Sequence, residues 1–140
     1  MMSRLAAVAR EEGLPFGDRR MTYNSRLAQE LGKWAEEKGS GPAFHDAAFR
    51  AYFADGLNIG EREVLLRLAA AVGLSSNEAE SVLDGRSYRY AVDRDWQRAR
   101  ERGVTAVPTF IFEEQRIVGA RPYGELETLL FANGLSPLTP

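Results

Sequence analysis

The chain has 140 residues, of which 44% are hydrophobic and 27% charged, and its formal net charge is −2. These values are typical of one globular domain and argue against disordered, fibrous and nucleic-acid-binding proteins, since no basic surplus is available to neutralise phosphates. No apolar run approaches the roughly 20 residues that span a bilayer, and "MMSRLAAVAREEG" is too polar for a secretory signal, so we expect no membrane partner and a cytoplasmic location. The absence of cysteine excludes disulfides, thiolate catalysis and cysteine metal sites within the chain.

Helical periodicity dominates roughly the first hundred residues. A first helix is predicted with Met1, Leu5 and Val8 on one stripe, and Gly13 ends it. A second helix is expected between the N-cap Asn24 and Gly39. Its apolar face is made of Leu27, Leu31, Trp34 and Ala35.

The next helix begins with Pro42 in its first turn and has a broad aromatic face that we expect to be core. That face consists of Phe44, Ala48, Phe49, Tyr52 and Phe53. A fourth helix buries Val64, Leu65, Leu68 and Val72 and ends at Gly73.

Two further helices are predicted before residue 103. Ser75 and Glu78 have the spacing of a capping box at the start of the fifth helix, which ends at Gly85. The sixth ends at Gly103 and has one apolar stripe, made of Tyr88, Val92, Trp96 and Ala99.

The character of the sequence changes at residue 103. "TFIF" is a short apolar run of the kind expected of a strand buried on both faces. "RIVGA" follows the polar "EEQ" and is predicted to pair with it as a hairpin. A last helix is expected near Pro122, with Leu126, Leu129 and Leu130 on one side.

The ordered set of a helix, "GVTAVPTFIF", a polar turn and "RIVGARPYGELETLL" resembles the C-terminal half of the DsbA family of thioredoxin-fold proteins, especially the FrnE-like oxidoreductases. The matching motifs are Gly103-Val104, Val107-Pro108-Thr109-Phe110 and Gly119-Ala120. The helical section "NSRLAQELGKWAEEKG" onwards is similar to the helical insertion of these proteins. The resemblance covers nearly the whole chain.

The resemblance implies an α/β fold, namely a truncated thioredoxin-like fold of the DsbA type, rich in helix, with a helical insertion and a C-terminal hairpin plus helix. It implies a single domain over residues 1–140, with a helical part to about residue 102 and the proline loop, hairpin and final helix over about 103–133. Family members begin with a βαβ unit that carries a CxxC dithiol, and the chain is expected to start at or after its second strand. The family activity is protein disulfide oxidoreduction, so without the dithiol we expect a redox-inactive chain that has no catalytic residue, metal site or cofactor of its own.

The same resemblance implies that the Val107-Pro108 bond is cis. Val107 N–H and C=O are then expected to pair with an extended peptide by β-augmentation, with Thr105, Ala106 and Thr109 completing the loop. The simpler interpretation is a turn at the entry to a strand.

Other polar residues point to structure more than to chemistry. His45 is the only histidine and stands among helix residues, whereas a zinc site or catalytic triad needs further groups. The run "DRDWQRARER" interleaves Arg94, Arg98 and Arg102 with acidic residues, which is typical of a solvated helix face with local ion pairs.

Without the first strand of the family, one edge of "TFIF" is expected to lie open. A two-stranded hairpin is marginal alone and an open apolar edge is a template for pairing. We therefore expect a homodimer in which "TFIF" pairs with its own copy.

Two alternatives to the thiol-free DsbA-like domain stay open. One is an enzyme similar to the glutathione-dependent 2-hydroxychromene-2-carboxylate isomerases, although "IVGARPYGEL" lacks the tryptophan that usually follows the hairpin there. The other is a dimerisation or peptide-binding module.

Overall fold

The computed structural model describes residues 2–18 and 21–136. In these residues the elements are α1 (Met2–Glu11), α2 (Arg26–Glu37), α3 (Gly41–Phe49), a π-helical turn (Arg50–Ala54), α4 (Arg62–Ala71), α5 (Ser76–Gly85), α6 (Arg89–Glu101), β1 (Thr109–Phe112), β2 (Gln115–Val118) and α7 (Tyr123–Ala132). None of the described helices is both long and apolar enough to cross a membrane. The predicted order, with helices first, then a hairpin and a final helix, is confirmed.

The chain forms two compact units, Met1–Arg94 and Asp95–Pro140. The boundary falls inside α6, whereas the sequence placed the end of the helical part at about residue 102. The described part of the first unit is helical, and the second contains the end of α6, the hairpin and α7.

The core of the first unit lies among α2, α3, α4 and α5. Leu31, Trp34 and Ala35 of α2 are buried there, as their spacing predicts. Leu65 of α4 and Phe44 of α3 are fully buried against the same cluster. Because full burial of a large apolar side chain is worth about 1.5–3 kcal/mol, this cluster is the main source of the unit's stability.

The helix ends match the sequence signals in part. Gly39 has a φ of 77°, and the Oγ of Ser75 accepts a hydrogen bond from the Glu78 N–H at 3.3 Å, so both of these predictions are confirmed. The N-cap of α2 is Ser25 and not Asn24, whose side-chain oxygen instead accepts from the Arg26 N–H at 2.9 Å. Asn24 thus stabilises a turn one residue before the cap.

The aromatic face of α3 is only partly core. Phe44 is buried, but Phe49 and Phe53 are exposed. The helix widens after Phe49 into the π-helical turn, which interrupts the 3.6-residue periodicity on which the prediction rested. The rings of Tyr52 and Phe53 still pack edge to face, with their centroids 4.9 Å apart.

Two predicted apolar stripes are exposed in part. In α1 the predicted helix is confirmed, although Leu5 and Val8 of its stripe are exposed and Ala9 is buried, and Met1 lies outside the described residues. In α6 Val92 is buried, whereas Trp96 is largely exposed.

The second unit contains a two-stranded antiparallel sheet with Phe110 opposite Ile117. Its turn is acidic, and Glu113 has a φ of 50°. The prediction that "TFIF" is buried on both faces is wrong, since Phe110 and Ile111 are each 38% exposed. In the described residues β1 has a neighbouring strand on one side only, so its other edge is open.

Candidate functional site

The five residues that the sequence singled out are consecutive: four belong to the loop before β1, Thr105, Ala106, Val107 and Pro108, and Thr109 is the first residue of the strand. The Val107-Pro108 peptide bond is cis. The Thr109 hydroxyl donates to the Ala106 carbonyl oxygen at 2.6 Å, which links the two ends of the turn. Val107 is 87% exposed, and in the described part of the chain no hydrogen bond involves its N–H or C=O. Its backbone is therefore accessible to a ligand.

The direction of the β1 backbone follows from the strand register. Thr109 lies opposite Val118, and the Gly119 N–H donates to the Pro108 carbonyl oxygen at 2.8 Å. Hydrogen-bonded and non-hydrogen-bonded pairs alternate along an antiparallel ladder. Phe110 and Phe112 therefore direct their N–H and C=O groups toward β2, while Thr109 and Ile111 direct theirs toward the open edge.

An apolar cavity of about 660 Å³ lies beside this strand within the second unit. Strand side chains such as Phe110 and helix side chains such as Leu130 line it, and Glu127 is the one ionisable carboxylate among its lining residues. Tyr123 and Phe131, which also line it, are exposed. The open edge of β1 is thus continuous with an apolar surface.

A second cavity, of about 350 Å³, lies in the first unit. Its walls include the aromatic side chains of Tyr23, Phe49 and Tyr52, and His45 also lines it. The His45 side chain is largely exposed, and its Nε2 is 3.5 Å from a Glu36 carboxylate oxygen. This placement agrees with the interpretation of His45 as a structural residue. The described residues contain no cluster of three His, Cys, Asp or Glu side chains placed to bind a metal.

A buried charged network in the first unit was missed by sequence reasoning. The Glu30 side chain is 1% exposed and accepts three hydrogen bonds of 2.7 Å, two from Arg86 and one from Arg26. Arg26 also donates to an Asp93 carboxylate oxygen at 2.6 Å. The pKa of Glu30 is lowered, mainly by the hydrogen bonds from the Arg86 guanidinium. Burial raises this pKa, and the hydrogen bond from Arg26 lowers it further.

This network corrects one prediction and accounts for one unusual backbone conformation. The expected local pairing along "DRDWQRARER" is wrong for Asp93, whose partner Arg26 is 67 residues away. The left-handed residue after α5 is Arg86, with a φ of 49°, and follows Gly85, at which the helix ends as predicted. Such a backbone is unfavourable for a side chain like that of arginine, and its two hydrogen bonds to Glu30 offset the cost.

A helical section, a proline loop, an antiparallel hairpin and a final helix together define a thioredoxin-like domain of the DsbA type. The family model of the DSBA-like thioredoxin domain matches residues 1–131, and the chain belongs to this family.

Three known proteins show the range of similarity. The uncharacterised protein YwbO of Bacillus subtilis is 36% identical over 95 residues, which cover 67% of this chain and 48% of YwbO. A protein of Streptomyces coelicolor described as a "probable DsbA oxidoreductase" has a TM-score of 0.83 and 29% identity, covering 99% of this chain and 62% of its own. The cytosolic disulfide reductase DsbM of Pseudomonas aeruginosa, solved with GSH, has a TM-score of 0.63 and 26% identity, covering 90% and 73%. The chain therefore spans about half the length of the curated relative.

Proposed function

We propose that this chain is a thiol-free domain of the DsbA family, in the FrnE-like branch, that binds an extended polypeptide strand and does not itself exchange disulfides. The observation that carries the proposal is the open edge of β1, where Thr109 and Ile111 direct backbone donors and acceptors outward. An extended peptide satisfies such groups by adding a strand, and neighbouring apolar surface gives it side-chain contacts. The exposed backbone of Val107, two residues before β1, extends the surface on which a peptide strand can bind.

The proposed lack of redox activity rests on chemistry. Thiol–disulfide exchange requires a thiolate to attack one sulfur of a disulfide through a mixed-disulfide intermediate. None of the 140 residues is a cysteine, and a serine or threonine hydroxyl cannot form that intermediate. By its resemblance to the family, the Val107-Pro108 loop corresponds to the loop opposite the dithiol, and the chain has no cysteine to stand beside it. We propose a cytoplasmic location for this protein, by analogy with DsbM, which is described as cytosolic.

The redox part of the proposal is tested by insulin reduction with excess glutathione. The chain is expected to match the rate of the protein-free reaction, while a cysteine-containing DsbA-type protein accelerates it. A rate above the protein-free control, in a preparation free of other thiol proteins, would contradict the proposal.

The binding part is tested with insulin B chain whose thiols have been carboxymethylated, which is unfolded and cannot exchange disulfides. Fluorescence anisotropy of the labelled B chain, at low protein concentration, is expected to show saturable binding. Ile111→Lys puts a charge on the accepting edge and is expected to weaken binding at least tenfold. Val118→Lys, on β2, is the matched control and is expected to bind like the wild type. Absence of binding, or equal loss in both variants, would refute strand acceptance.

A glutathione-dependent isomerase is the second candidate, favoured by the similarity to a structure solved with GSH. Titration calorimetry with reduced glutathione separates the two. The proposed strand acceptor gives no saturable heat, whereas binding that survives Ile111→Lys would transfer the assignment to glutathione chemistry elsewhere in the chain.

A further inference from the structure

The two outer edges of the hairpin differ in charge. β1 reads "TFIF" and contains no charged residue, whereas β2 reads "QRIV" and contains Arg116. The Arg116 guanidinium donates to the carbonyl oxygens of Arg102 and Gly103, each at 3.0 Å, so the charged side chain of this β2 residue is held in place. Proteins protect exposed edges from pairing with charges of this kind. In the described part of the second unit, only the β1 edge lacks that protection.

We propose that a second copy of this chain occupies the β1 edge, so that two hairpins form one four-stranded antiparallel sheet about a two-fold axis. This rests on the proposed function, because it names the strand that the edge accepts. The occupant fits the chemistry of the edge, since "TFIF" is itself a short, apolar, uncharged strand with the same unpaired backbone groups. Two copies of one edge are self-complementary when their strands run antiparallel.

Symmetry and backbone direction together select the register. A two-fold axis perpendicular to the sheet places each residue of β1 opposite one on the same face, so one residue of the strand lies directly opposite its own copy, with the axis midway between the two. When that residue is Phe110, Thr109 lies opposite the partner's Ile111 and Ile111 opposite the partner's Thr109. Both residues direct their backbone groups to this edge, so the two pairs exchange four hydrogen bonds. A register with Ile111 opposite its own copy gives only two hydrogen bonds. In that register Thr109 lies opposite the partner's Glu113, whose positive φ takes it out of the strand.

The same register suits the side chains. Phe110 lies directly opposite the partner's Phe110 as a non-hydrogen-bonded pair, in which Cα atoms are about 4.5 Å apart and aromatic side chains interact favourably. This face is continuous with the apolar cavity of about 660 Å³ lined by Phe110 and Leu130. The acidic turns at Glu113 and Glu114 lie about 20 Å apart along the sheet, since successive strand residues are about 3.4 Å apart. That separation exceeds the screening length of about 8 Å at physiological salt.

The absence of cysteine makes a crosslinking test clean. Phe110→Cys places one thiol beside the proposed axis, at a Cα separation compatible with a disulfide. Mild oxidation is expected to convert this variant to a covalent dimer at least tenfold faster than Val118→Cys, the control on β2. Equal rates would overturn the register.

The mass of the full chain is measured by light scattering behind size exclusion over a wide concentration range. The wild type and Val118→Lys are expected to be dimers and Ile111→Lys a monomer, with circular dichroism showing that the monomer keeps its helices. A wild type that stays monomeric and still binds carboxymethylated insulin B chain would overturn the second copy and leave strand acceptance standing. A monomer that binds no B chain would overturn both. A dimer whose B-chain affinity falls as protein concentration rises supports both, because the two strands then compete for one edge.

Discussion

Replacing Glu30 by glutamine tests whether the buried network stabilises the first unit. One oxygen, Oε1, accepts from Arg26 Nε and Arg86 Nη2, and Oε2 accepts from Arg86 Nε. A glutamine oxygen in the Oε1 position keeps two of these bonds, but its NH₂ group then faces the Arg86 Nε–H, donor against donor.

The magnitude follows from those three bonds. Losing one hydrogen bond to a charged group costs about 1.5–3 kcal/mol, and making the other two neutral costs up to about 1 kcal/mol each. Water reaches the half-exposed Arg86 and offsets part of this loss. We therefore expect Glu30→Gln to lower the free energy of unfolding by about 3 kcal/mol, which corresponds to a fall in melting temperature of roughly 10 °C for a domain of this size.

The assay is urea unfolding followed by circular dichroism, with melting temperature as a second readout. Glu78→Gln is the matched control, because Glu78 makes a 2.6 Å ion pair with Lys38 while both side chains are about half exposed. Exposed pairs of this kind contribute little, so the control is expected to unfold like the wild type. A loss below about 1 kcal/mol for Glu30→Gln, or equal losses in both variants, would refute the reasoning from charged hydrogen bonds.

Three further predictions concern the same unit. The pKa of Glu30 is lowered below its ordinary value of 4.5. The stability difference between wild type and Glu30→Gln is therefore expected to be fully present above pH 4.5 and to shrink as the pH falls through the lowered pKa. A difference that stays unchanged in acid unfolding would contradict this. Gly17→Ala would press a methyl group into the carbonyl oxygen of Ala54, a backbone atom that cannot move aside. The variant is expected to lower the free energy of unfolding in urea by about 1–3 kcal/mol. A neutral result would mean that the loop shifts freely. Gly32→Ala is the contrasting change in α2. Its methyl would lie 3.1 Å from the Nε2 of the half-exposed His45 and in ordinary contact with His45 Cδ2 at 3.5 Å and Phe44 Cδ1 at 3.9 Å. We expect a gain of up to about 1 kcal/mol from helix propensity, and a clear loss would show that His45 is held in place.

Much of the fold could be predicted because its signals are local. Gly39 and Ser75 mark helix ends through their own backbone and side-chain preferences, and the α2 face follows from spacing alone. The change of composition at "TFIF" identifies the hairpin for the same reason. The exposure of Phe49 could not be predicted, since a π-helical turn leaves no distinct pattern in a single sequence.

The features that sequence reasoning missed depend on partners far along the chain. Glu30 occupies a position in α2 that resembles a solvated polar site, and its main partner Arg86 is 56 residues away. The exposure of β1 likewise depends on how many strands flank it, which its own four residues do not encode. The candidate loop at Val107 was predictable only through the resemblance of "VPTF" to a family motif.

Amide hydrogen exchange at Thr109 and Ile111 tests strand acceptance most directly. These two N–H groups face the open edge of β1, whereas the Phe110 N–H is paired with β2 and serves as the internal reference. We predict that exchange at Thr109 and Ile111 slows when protein concentration is raised or carboxymethylated insulin B chain is added, while exchange at Phe110 changes little. Rapid exchange at both edge amides under all of these conditions would contradict the claim that this edge binds a strand.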